Sequence, residues 1–124
     1  MGIAVGGGMA GSKEWAAVVS RIDFKSFIIK YGEGKTDTLP GARIARAEEG
    51  VWILKVDDDI VVGSSPKTCV RALLNLWRQT KEELAKYLTE KGEDKLAAKK
   101  YAEASQIAMK LAALEGAEIH VFGL

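Results

Sequence analysis

The sequence predicts an α+β fold in a single domain, residues 1–124: an antiparallel sheet of four to five strands with two long C-terminal helices packed on one face. Three observations carry this. The apolar period changes near Ser65 from the alternation of strands to the three-and-four spacing of helices. The links between the predicted strands are short, whereas a parallel pairing needs a crossover of about a dozen residues. The chain has 124 residues, 48% of them hydrophobic and 28% charged, which suits one ordinary globular domain.

Taken in order, residues 1–11 are glycine-rich and read as a flexible N-terminus, because each glycine carries a large ordering cost. Residues 12–63 form a β-rich half. Ser12 caps a short predicted helix over Lys13–Arg21, with Trp15, Val18 and Val19 on one side. Phe24–Tyr31 is aromatic and β-branched and ends at Gly32-Glu33-Gly34, a strand closed by a turn. Leu39-Pro40-Gly41 is a second turn. Ala42–Ala47 and Val51–Val56 flank Glu48-Glu49-Gly50 as a hairpin, and Asp57–Asp59 turns into a short strand over Ile60–Val62.

Residues 64–124 form the helical half with a terminal strand. Ser65-Pro66 places an N-cap before a proline at the first helical position. Val70, Leu73, Leu74, Trp77, Leu84 and Leu88 then make one apolar stripe, and Gly92 ends the helix. The second helix, about Asp94 to Leu114, turns Leu96, Tyr101, Ala104, Ile107, Ala108 and Leu111 inward and stops at Gly116. Ala117–Phe122 is a last strand expected to rejoin the sheet. The first stripe is longer than one small sheet need cover, so a homo-oligomer through the long helices is expected.

Composition limits the functional classes. Cys69 is the only cysteine, which excludes an intramolecular disulfide and cysteine-rich zinc sites. No apolar run reaches the roughly 18 residues of a membrane helix, and the N-terminus lacks the pattern of a signal peptide, so a cytoplasmic location with no membrane partner is expected. With 18 basic and 17 acidic residues there is no global basic signature, and any nucleic-acid site must be a local patch. Abundant Lys and Glu beside few Cys, Asn and Gln point towards a thermophilic source.

Several motifs compete with plainer readings. Gly6-Gly7-Gly8-Met9-Ala10-Gly11 fits G-x-G-x-x-G after Ile3-Ala4-Val5, the context in which backbone amides meet a pyrophosphate. The rest of the chain lacks β-α-β alternation, and a flexible tail is the stronger reading. Gly34-Lys35-Thr36 resembles a phosphate loop, but Ile29 stands where its first glycine is needed and a turn follows instead of a helix. Asp57-Asp58-Asp59 could hold a divalent cation, yet only alternate strand residues share a face, and a solvated turn accounts for them better. His120 stands on a strand with no nucleophile motif beside it, and Cys69 reads as packing. The sequence therefore predicts no catalytic residue, no metal ligand and no cofactor, and a protein that is not an enzyme.

What remains is an interleaving of basic and aromatic residues. Arg21, Phe24, Lys25, Phe27, Lys30 and Tyr31 lie close together, and Arg43, Arg46, Trp52 and Lys55 follow in adjoining strands. Period two puts Lys25, Phe27, Ile29 and Tyr31 on one face and Phe24, Ser26, Ile28 and Lys30 on the other. Aromatic faces stack on unpaired bases while Lys and Arg follow the phosphates. Strands favour aromatics in any case, and one face must pack on the helices. The functional expectation is a sheet face or cleft carrying Lys25, Phe27, Tyr31, Arg43, Arg46, Trp52 and Lys55 that binds single-stranded DNA or RNA without strong sequence preference. A homo-oligomeric structural protein without catalysis is the alternative, and nucleotide binding at Gly6–Gly11 the third reading.

The aromatic-basic strand Phe24–Tyr31, the hairpin bearing Arg43, Arg46 and Trp52, and the helix opened by Ser65-Pro66-Lys67 together resemble the single-stranded-DNA-binding Thermo-DBP family of hyperthermophilic archaea and its related proteins. The resemblance is one of layout across most of the chain. It implies an antiparallel sheet paired with helices, a strand held in a cleft with hydrophobic and basic walls, and oligomerisation through helices.

Overall fold

The structure, a computed structural model, describes residues 3–5 and 21–124. The chain is α+β, and its strands form two sheets. The first has the order β1 (Ile3–Val5), β6 (Asp59–Gly63), β5 (Val51–Val56), β4 (Ala42–Glu48). The second has the order β3 (Thr36–Asp37), β2 (Phe27–Lys30), β7 (Glu118–Val121). Helices α1 (Pro66–Glu90) and α2 (Asp94–Leu114) form a hairpin between β6 and β7.

Two features differ from the sequence expectation of one antiparallel sheet of four to five strands. First, the predicted strand Phe24–Tyr31 divides at Ser26. Lys25 exchanges backbone hydrogen bonds with Ile44 on β4, and from Phe27 onward the chain pairs with β7 on one side and β3 on the other. One strand thus joins two ladders, and the sheet splits there. Second, Ile3–Val5 is a strand and lies parallel to β6, with Ile3 opposite Ile60 and Val5 opposite Val62. Part of the segment expected to be a flexible tail therefore closes a sheet edge, and this pairing is parallel. The Gly6–Gly11 motif and residues 13–20 of the expected first helix lie outside the described residues.

The β4–β5 hairpin forms as expected, with Arg43 opposite Lys55, Ile44 opposite Leu54 and Arg46 opposite Trp52. The last strand rejoins a sheet, antiparallel to β2. Ser65 caps α1 by accepting a hydrogen bond from the Thr68 backbone N–H at 3.1 Å. Gly63 permits the close approach that brings the start of α1 onto β6, since a Cβ there would stand 3.0 Å from Cys69 Sγ and 3.1 Å from its backbone nitrogen. Asp57 and Asp58 make the exposed turn before β6, with Asp57 in the left-handed region at φ 52°.

The core lies between the sheets and the first half of α1. Ile44, Leu54 and Val61 from the first sheet meet Phe27 and Ile29 from the second, and Val70, Leu73 and Leu74 close over them. Helix α1 runs over β5 and β6 and reaches β1 and β7, whereas α2 packs chiefly along α1. Only the C-terminal half of α2 reaches the core, through Ile107, Leu111 and Leu114. The helices accordingly form a projecting hairpin, not a layer lying on one sheet face along its length. Length explains this: 25 residues of helix span about 37 Å, against about 20 Å for the longest strands. Leu96 and Tyr101, expected to face inward, are exposed on the projecting part.

Candidate nucleic-acid interface

The seven residues singled out in the sequence do not converge on one face. Phe27 is in the core at 5% exposure, on the inward face of β2 with Ile29. Trp52 also lies on the core side of β5, partly buried beneath α1, where its carbonyl accepts a bond from the Cys69 thiol at 3.4 Å. Burial takes the Phe27 ring out of reach of a base, which corrects the expectation for that residue, and Trp52 is partly buried. The reason is alternation. Phe27, Ile29, Ile119 and Val121 share the face that must be buried, as do Trp52, Leu54 and Val56 on the other sheet.

The basic members are more accessible. Arg43 and Lys55 stand opposite each other, exposed, on the face of the first sheet that points away from the core cluster. Ala45 and Ile53 on that face are nevertheless buried, so the basic pair rims a covered surface, not an open platform. Arg46 is exposed across from Trp52. Lys25 lies at the junction of the two sheets, where its Nζ pairs with Asp23 at 2.7 Å.

Tyr31 is the aromatic member that borders open space. It follows β2 at the point where the chain turns through Gly32 and Gly34, and this turn faces the end of α2 across a cleft of about 550 Å3. Lys35, Met109, Lys110 and Gly116 form other parts of its lining. A second groove of about 610 Å3 shares Tyr31, Gly32 and Gly116 and extends past Lys30, Thr36 and Glu118. The turn and the helix end lie close together: a Cβ on Gly32 would stand in ordinary contact with the Gly116 carbonyl at 3.6 Å.

The Asp37 carboxylate orders one wall of this cleft. Its Oδ2 accepts the Tyr31 hydroxyl at 3.4 Å and faces Lys110 Nζ at 3.5 Å, while Oδ1 accepts the Thr38 backbone N–H at 2.8 Å. Burial pushes the Tyr31 phenol pKa up, and the Asp37 charge and hydrogen bond push it further in the same direction. The ring is therefore a neutral, amphipathic surface. Lysines 30, 35 and 110 supply positive charge along the two grooves, balanced by Glu33, Glu118 and the Asp37 carboxylate that faces Lys110. Of these lysines, Lys30 belonged to the aromatic-basic strand of the sequence. Lys35 and Lys110 were not singled out, because no local pattern marks two lysines that only the tertiary fold brings together.

No protein-family model, curated protein or solved structure matches the chain. Among the described residues, no helix is long and apolar enough to cross a membrane.

Proposed function

We propose that this protein is a cytoplasmic, non-enzymatic binder of single-stranded DNA or RNA, without strong sequence preference, and that the strand enters at the Tyr31 cleft. The observation that carries the reading is a partly exposed, neutral aromatic side chain shared by two adjoining grooves whose walls together include three lysines. Stacking one base on such a ring contributes about 1–3 kcal/mol, and the lysines follow the phosphates. The likeness of layout to the Thermo-DBP family points the same way. Arg43, Arg46 and Lys55 are exposed on the other sheet and can extend the backbone contacts.

The test is fluorescence anisotropy of a labelled oligothymidine at two salt concentrations. Three lysine contacts predict a slope of log affinity against log salt of about −2. Tyr31→Ala should weaken binding by roughly 5- to 100-fold while the chain stays folded. Absence of binding at low salt would end the proposal. Full affinity in Tyr31→Ala, with loss in an Arg43→Glu/Lys55→Glu variant, would move the interface to the first sheet.

A second reading, a self-associating structural protein, is favoured by Leu84, Tyr87, Leu96 and Tyr101, which are exposed on the projecting hairpin. The rest of the stripe from which helix-mediated association was expected is largely used within the chain, since Val70, Leu73 and Leu74 are buried in its own core. A protein of that class would show an oligomeric mass and no response to oligothymidine.

A further inference from the structure

The second sheet ends on β7, and no described residue pairs with its outer edge. The backbone register fixes which groups that edge presents. The Phe122 N–H donates to the Ser26 carbonyl at 2.9 Å, and bonded positions alternate along an antiparallel ladder. His120 opposite Ile28 and Glu118 opposite Lys30 are therefore bonded to β2, while Ile119 and Val121 turn their N–H and C=O groups outward. The other side of β2 agrees with this phase: Tyr31 donates to Lys35 and Lys25 exchanges bonds with Ile44, both odd-numbered positions facing away from β7. Edge strands are commonly kept from pairing by shortness, charged side chains, proline or a bulge. β7 reads Glu-Ile-His-Val; it is short and carries the charge of Glu118, but has no lysine, proline or bulge.

We propose that the outer edge of β7 pairs antiparallel with the β7 of a second copy of this chain, on a twofold axis at Ile119, to form one six-stranded sheet. Outward-facing groups at 117, 119 and 121 allow a symmetric pairing about any residue from 117 to 121, through a bonded pair at the odd positions or a non-bonded pair at 118 and 120, where Glu118 or His120 would face its own copy. Only the axis at Ile119 sets Glu118 of each copy opposite His120 of the other. Both side chains are exposed on the face away from the core, and Glu118 has no ion pair among the described residues. An imidazole N–H can donate to the facing carboxylate, and this non-bonded position brings side chains closest, with Cα atoms about 4.5 Å apart. The two Ile119 residues exchange two backbone bonds. Each Val121 N–H donates to the Ala117 carbonyl of the other copy, giving four bonds in all. The Ala117 N–H takes no part, because it already bonds to Leu114 at 3.1 Å. On the outer face, the strand order β3-β2-β7-β7-β2-β3 sets the two Lys30 rows about 14 Å apart, at three strand spacings. The Lys30–Thr36–Glu118 grooves of two copies then open onto one continuous surface.

The pairing is tested on the full chain without nucleic acid, so its outcome is independent of the binding proposal. Sedimentation velocity from low to high micromolar concentration should show a mass approaching twice 13.4 kDa. Glu118→Lys and, separately, His120→Glu should each weaken association several-fold or more, since each removes both symmetric imidazole–carboxylate contacts, and His120→Glu also sets carboxylates opposite each other. Glu118→Lys/His120→Glu should restore it. Using both single variants guards against a local effect of a lysine opposite Lys30, and thermal melts check that each variant is folded. A monomeric mass throughout the range, or a dimer indifferent to both single variants, overturns the proposal. The latter result would assign association to the helical hairpin.

Discussion

The two halves of the helical hairpin obey the same sequence pattern and end in different surroundings. Near the sheets, α1 buries Cys69, Val70, Leu73 and Leu74 completely or nearly so, and Leu114 of α2 joins them. Towards the tip only Ala85, Ala97 and Ala104 are buried, and Leu84 and Tyr87 are 39% and 54% exposed. The near half is held by large side chains driven out of water into a core. The far half is held by small residues that let two backbones come close and by ion pairs such as Lys81–Glu103 at 3.0 Å. A continuous apolar stripe thus says that a helix is amphipathic, not how much of it has a sheet to cover. The projecting half should open locally at lower free energy than the rest of the chain.

The widest separation between the halves is expected from truncating one leucine in each. Leu73→Ala removes a side chain at 0% exposure and leaves a cavity among Ile44, Leu54 and Val70, at a cost of about 2–5 kcal/mol. Leu84→Ala removes the same atoms from a surface position and should change stability by about 0.5 kcal/mol or less. Urea denaturation of the two variants decides the matter. Equal losses would mean that Leu84 is covered in solution, and the contrast between the halves would fail.

A smaller effect is expected at the helix starts. Ser65 accepts the Thr68 N–H and its hydroxyl lies 2.9 Å from the Thr68 hydroxyl, while Glu93 at the start of α2 makes no side-chain capping bond. Ser65→Ala should cost about 1 kcal/mol and Glu93→Ala about 0.5 kcal/mol or less. If Glu93→Ala proved the costlier change, the tip would be held more firmly than its contacts suggest.

Much of this fold is legible in the sequence where one local signal decides the outcome. Ser65-Pro66 and Gly92 bound α1, Gly116 follows α2, and Gly50 turns the β4–β5 hairpin with φ 75°. Outcomes that depend on remote partners are not legible. Both faces of Phe24–Tyr31 carry an aromatic and a lysine, so periodicity could not say which face the core would take. Burial of Phe27 and Ile29 is decided by β7, some 90 residues later in the chain. The split at Ser26 depends on β4 and β7 claiming neighbouring residues of one strand. The Tyr31 cleft needs Lys110 and Asp37, which no spacing connects. Ile3–Val5 carries a strand-like composition, but a glycine-rich surrounding hid its pairing with β6.

The smallest effect, and the one most specific to the tip, concerns acid. Glu103 on α2 accepts a hydrogen bond from Lys81 on α1, which holds its carboxyl below the usual carboxylate range; partial desolvation opposes this, and the charges of Lys81 and of Lys100, 3.4 Å away, add to the depression. A carboxyl whose folded pKa lies below its unfolded value contributes stability that is fully present above the unfolded value, about 4.3. That contribution disappears as pH falls through the lower folded value, where both states are protonated. Glu103→Gln keeps the shape and removes the titration. The stability difference between the native chain and this variant should therefore be constant from neutral pH down to about 5, then shrink towards zero in stronger acid. Urea midpoints measured across that range give the test. Amide exchange at Ala85 and Ala97 should quicken in the variant, while exchange at Leu73 stays unchanged, because Lys81–Glu103 joins the helices beyond the part that the core secures. A stability difference independent of pH would show that the pair is too exposed to hold the tip, and that alanine packing alone closes the far half of the hairpin.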